Sequence, residues 1–148
     1  AKTGDPEKFK FPLTSMPGYN YSFSGIKTAV LYFLRDQLKD DSSFIEKNLN
    51  DLCASIQHTL IAMLMEKLIL CANENDIKDI AIAGGVAANS QIRNFVRGLS
   101  DQYNWKTYIP KLEYCTDNAA MIGIAGYYKY LQKAFSDLTV VPDARLKF

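Results

Sequence analysis

The chain of 148 residues has few cysteines, a single histidine and almost no net charge. Its three cysteines, Cys53, Cys71 and Cys115, are odd in number and too widely spaced for a CxxC pair. That leaves no basis for a disulfide framework or a thiolate zinc site, and fits a reducing compartment. His58 is the single histidine, so no HExxH motif exists and one histidine cannot build a catalytic zinc site. It lies in mid-helix between Gln57 and Thr59, a structural or surface position. Neither sign of charge dominates: 17 basic and 16 acidic side chains leave a formal charge of +1, which gives no global reason to expect a nucleic acid or a membrane. The most apolar stretch, Leu60 to Ala72, is interrupted by Glu66 and Lys67, and the opening residues Ala1 to Pro6 are polar, without an apolar leader core. The expectation is a soluble, cytoplasmic protein with no membrane contact. The chain opens on Ala1 rather than Met, a start that Met removal, a cloning boundary or excision from a longer polypeptide would each give; the expectation is a fragment.

What is present is an ordinary globular composition, 48% hydrophobic and 22% charged, enough for one domain core. Residues 1–20 hold Pro6, Pro12, Pro17, Gly4 and Gly18 and read as an irregular lead-in. Tyr19, Tyr21 and Phe23 alternate with polar residues, predicting a short half-buried strand. From Ile26 the apolar residues take helical spacing through Leu38, with Ser24 placed to cap the first turn. Ser43 and Glu46 form a capping-box pattern before a long amphipathic helix ending near Asn73–Asn75. Residues 77–83 read as a buried strand stopped by Gly84-Gly85, followed by a helix over 90–99. A second strand over 105–109 is closed by Pro110, a helix spans about 118–133, and residues 134–148 read as an irregular tail. Two strand-loop-helix units with large helices around them indicate an α/β layer architecture with a small, partly parallel sheet.

Three segments could carry chemistry. In Ala83-Gly84-Gly85-Val86-Ala87-Ala88-Asn89-Ser90 a strand feeds a glycine pair and then a helix amino terminus. The glycines let a ligand approach the main chain without meeting a Cβ, the free N–H groups suit an anion or a nucleotide, and Asn89 offers a donor and an acceptor. A plain tight turn with Asn89 as the helix cap accounts for the same pattern. In Cys115-Thr116-Asp117-Asn118-Ala119-Ala120-Met121-Ile122-Gly123, Asp117 is either the helix cap or a hard oxygen ligand for a metal. Tyr21 to Lys27 has a glycine after a serine and then a lysine, but lacks Walker spacing and reads as a strand-to-helix joint. A nucleophilic pairing of Cys115 with His58 has no support in spacing.

Taken together, Tyr21-Ser22-Phe23-Ser24-Gly25-Ile26-Lys27-Thr28-Ala29-Val30, Ala83 to Arg93 and Tyr114 to Ile122 resemble, in order and spacing, the TsaD family in its bacterial form. The likeness runs from about Phe11 to Arg145. It implies the carboxy-terminal lobe, residues 1–148, of an actin-like, sugar-kinase and heat-shock ATPase (ASKHA) fold. It also implies transfer of a threonylcarbamoyl group from threonylcarbamoyl-AMP to N6 of the adenosine beside the anticodon of tRNA. By the same resemblance Asn89 contacts the adenylate, Gly84 and Gly85 shape its pocket, and Asp117 is one ligand of a divalent metal, iron or zinc. Implied partners are tRNA, the inactive paralogue TsaB and the ATPase TsaE. The family's His-x-x-x-His ligands are not in this sequence, so the resemblance implies a lobe inactive by itself, or a nucleotide-binding or partner-binding lobe without catalysis.

Overall fold

A computed structural model describes residues 1–13 and 16–142. It is mixed α/β, with four α-helices and a two-stranded parallel sheet: α1 (Phe23–Asp40), α2 (Phe44–Glu74), β1 (Asp79–Ala81), α3 (Ser90–Tyr103), β2 (Lys106–Tyr108) and α4 (Ala119–Leu131). Short 3-10 turns span Gly85–Ala88 and Leu112–Tyr114. The residues fall into two compact units: residues 1–81 with 89–108, and residues 82–88 with 109 onward.

In the first unit α2 is the scaffold. Its length and composition would allow a membrane crossing, yet Leu52, Ala54, Ser55, Thr59, Ile61, Met63, Met65 and Ala72 are buried within the protein, as in a core helix. α1 packs on it, Phe33 of α1 meeting Phe44 of α2 with ring centroids 6.0 Å apart, and Ile26 is the buried residue of α1. β1 and β2 pair in parallel with Asp79 opposite Lys106, Ile80 opposite Thr107 and Ala81 opposite Tyr108, α3 lying between them in sequence. Ala72, Ile80 and Trp105 close a second small core, the indole stacked on Tyr103 at 5.0 Å. α3 ends at Asn104, whose φ of +53° is the left-handed turn that asparagine tolerates.

The lead-in has no helix or strand, as expected, but it is fastened to α2. The Ser55 hydroxyl, fully buried, donates to the Asp5 carbonyl at 3.1 Å and accepts the Phe9 N–H at 3.2 Å. Lys8 pairs with Asp51 at 2.6 Å, and the Asp5 N–H donates to the same carboxylate. A Cβ on Gly4 would overlap the Asn50 carbonyl, so the chain approaches the helix there as only glycine can. Phe9 and Phe11 then pack on Phe33, at 5.5 and 5.4 Å.

Four local expectations need correction. No strand forms over 19–23: residues 19–22 have no strand to pair with, and Phe23 already begins α1, so Ser24 lies inside the helix rather than capping it. The tyrosine is held instead by its hydroxyl, which donates to Glu74 at 2.6 Å. The Ser43–Glu46 capping box is not made: the Ser43 N–H that Glu46 would accept donates instead to the Asp41 carboxylate at 3.0 Å, and the Ser43 hydroxyl is turned to the same carboxylate at 2.7 Å. The strand expected buried over 77–83 is three residues long, with only Ile80 buried, since a two-stranded sheet covers little of either face. The α3 helix runs to Tyr103 rather than Leu99. Of the tail, residues 134–142 carry no helix or strand, and residues 143–148 lie outside the described residues.

Candidate functional site

In the second unit, the loop after β1 and the loop before α4 border one concavity of about 460 Å³. Ala83, Gly84 and Gly85 form one side, Tyr114, Thr116 and Asp117 the other. Each side is positioned by local backbone chemistry. Gly84 takes φ +79°, a left-handed conformation that turns the chain out of the strand, and its carbonyl accepts the Ala87 N–H at 3.0 Å to close the 3-10 turn. Gly85 starts that turn with an ordinary φ, and a Cβ on either glycine would meet nothing within 4 Å. The glycines therefore leave the main chain bare toward the concavity.

On the other side Asn118, not Asp117, caps α4. Its Oδ1 accepts the Met121 N–H at 2.9 Å, so the capping alternative for Asp117 is overturned. The Asn118 amide also donates to the Thr116 carbonyl at 2.8 Å, a bond no carboxylate can make. Asp117 is exposed, and among the described residues its carboxylate takes part in no hydrogen bond or ion pair. Cys115 beneath it is 2% exposed, with its thiol directed to the Lys111 carbonyl at 3.5 Å, the environment of a packed cysteine rather than a nucleophile.

Asn89 belongs to the first unit and is the cap of α3. Its Oδ1 accepts the Gln91 N–H at 2.9 Å and the Ile92 N–H at 3.3 Å, leaving the amide end of the side chain for another partner. His58 is exposed on α2 and borders two concavities of about 300 and 340 Å³, neither of which holds a cluster of metal-ligating side chains. Sequence reasoning singled out Gly84, Gly85, Asn89 and Asp117 and overlooked Tyr114, Thr116 and the double role of Asn118. Their only signal was position, next to Asp117 in the quoted string.

A divalent iron or zinc ion takes four or more ligands, and among the described residues no three histidine, cysteine, aspartate or glutamate side chains converge to hold one. Asp117 is a single hard oxygen donor. The described residues do not by themselves make a metal site.

The family model for tRNA N6-adenosine threonylcarbamoyltransferase, TsaD, matches residues 1–124. Relatives bearing that name occur in Christiangramia forsetii, 54% identical over 148 residues, in Cytophaga hutchinsonii, 52% over 147, and in Porphyromonas gingivalis, 51% over 146. These matches cover 99 to 100% of this chain and 43 to 44% of each relative, so the chain spans less than half the length of the proteins it resembles. A family model over residues 1–124 and relatives at least half identical along almost all of the chain carry the conclusion that the chain belongs to the TsaD family.

Proposed function

We propose that this chain supplies one wall of the adenylate pocket of a tRNA threonylcarbamoyltransferase. The observation that carries the reading is the convergence of Gly84 and Gly85 with Asp117 on one concavity, from loops far apart in sequence. The bare backbone of the glycine turn suits the adenylate moiety of threonylcarbamoyl-AMP, with its N–H groups offered to polar atoms. Asn89, in the first unit, is carried over from the family resemblance as an adenylate contact: its oxygen holds the α3 terminus and its amide donors take no part in that cap. Asp117, exposed and uncommitted, contributes one ligand to a divalent iron or zinc ion whose other ligands lie outside these residues.

In the reaction, N6 of the adenosine beside the anticodon attacks the carbamoyl carbon of the mixed anhydride. The bond from that carbon to the phosphate oxygen breaks, AMP leaves with the electron pair, and N6 gives up a proton. What this chain adds is binding and orientation, which lower the barrier by holding the reactants together. The tRNA, TsaB and TsaE are the proposed partners, and the cytoplasm, where tRNA is modified, is the proposed location. The incomplete donor set favours the narrower reading for the chain alone: a nucleotide-binding lobe without turnover.

The experiment is threonylcarbamoyl transfer to unmodified tRNA from preformed threonylcarbamoyl-AMP. Residues 1–148 alone should give no turnover. Joined to the part of the Christiangramia forsetii relative outside the matched region, they should restore it. Turnover by the chain alone, or a well-folded joined protein without any, overturns the reading.

A further inference from the structure

We propose that Asn118 is the positioning residue that aims Asp117 into the concavity, an inference that rests on Asp117 being a residue of the site. Both ends of its carboxamide are engaged, and they do different things. The oxygen accepts the Met121 N–H at 2.9 Å, an ordinary helix cap that Asp or Ser would supply as well. The nitrogen donates to the Thr116 carbonyl at 2.8 Å, a bond that contributes nothing to the helix. It runs backward across Asp117 and ties down the residue on its other side. Asp117 is thereby held between two fixed points while its own carboxylate remains uncommitted among the described residues and borders the concavity. Asn118 itself is extended, at φ −153° and ψ 157°, so the clamp is made by the side chain rather than by a backbone turn. Only a side chain of this length carrying both an acceptor and a donor makes the two bonds together.

The test uses the 148-residue chain and two variants, Asn118→Asp and Asn118→Ser. Both keep an oxygen acceptor for the cap and lose the amide donor; one adds a charge and the other does not. Amide exchange reads the helix, and ¹⁵N relaxation reads the backbone at Asp117. Exchange protection from Met121 onward should stay within about threefold of the unsubstituted chain in both variants. The order parameter at Asp117 should fall from about 0.85 to below about 0.6. A residue that serves only as a cap would not move the second quantity while sparing the first. Asp117 remaining as ordered as before, with α4 intact, overturns the proposal. So does melting of α4 in both variants, since an acceptor alone should hold the helix. The readout needs no ligand, so a failure of the adenylate reading shows separately, in the transfer assay.

Discussion

Gly84 and Gly85 differ in what a side chain would cost. At Gly84 a φ of +79° makes any Cβ unfavourable, so Gly84→Ala should lose about 1 to 2 kcal/mol of stability although the space around it is open. Gly85 has an ordinary φ and open space, so Gly85→Ala should leave the melting temperature within about a degree, equivalent to under about 0.5 kcal/mol. It nevertheless places a methyl group on the bare backbone that faces the concavity. Thermal melts paired with adenylate titration read the two effects apart; equal stability losses would contradict the assigned backbone roles. The pair was legible from sequence as a special turn, but which glycine the turn requires was not, because that depends on a backbone angle. Asp117 shows the same limit. Its string allowed a helix cap or a metal ligand, and only the Met121 N–H, which donates to Asn118 instead, decides against the cap.

At the junction of α1 and α2, Asp41 accepts from the Lys47 ammonium at 2.7 Å and from the hydroxyl and N–H of Ser43, at 2.7 and 3.0 Å. The Lys47 bond first, then the Ser43 bonds, pull its pKa down from 3.8 to about 2. A carboxylate whose folded value is depressed adds stability that is fully present above its unfolded pKa and is lost as pH falls through the folded one. The Asp41 contribution is therefore complete above pH 3.8 and disappears as pH falls toward about 2. A carboxyl-carbon NMR titration should place its midpoint near 2, rising with added salt as the exposed lysine is screened. A midpoint near 3.8 would show that the contacts do not persist in solution. The same contacts explain why the Ser43–Glu46 pattern misled: two residues upstream, a charged acceptor takes the serine N–H in place of Glu46 and turns the hydroxyl toward itself.

The lead-in is the other element whose role was hidden. Proline and glycine marked it correctly as irregular, but its attachment runs through Ser55, an unremarkable residue in mid-helix. Ser55→Ala leaves the Phe9 N–H and the Asp5 carbonyl without their partner, and should cost about 1 to 3 kcal/mol in denaturant melts. No measurable change would mean that residues 1–11 do not pack on α2. The four helices, in contrast, were legible because apolar spacing over ten or more residues is a strong signal. The two strands were legible in place but not in extent, since a pair of three-residue strands is defined by pairing, Ile80 with Thr107, that no local pattern encodes.

For the molecule as a whole, family membership rests on sequence that runs through both units, while the proposed activity exceeds what less than half of a relative's length contains. The proposed pocket requires that the Gly84-Gly85 turn and the Asp117 loop form a single ligand site. The most direct measurement is an NMR titration of the 148-residue chain with a non-hydrolysable analogue of threonylcarbamoyl-AMP. If the two loops form one site, the amides of Gly84, Gly85, Thr116 and Asp117 should shift together along one saturating curve. Shifts confined to one of the two loops, or centred instead on the His58 concavities, would contradict it.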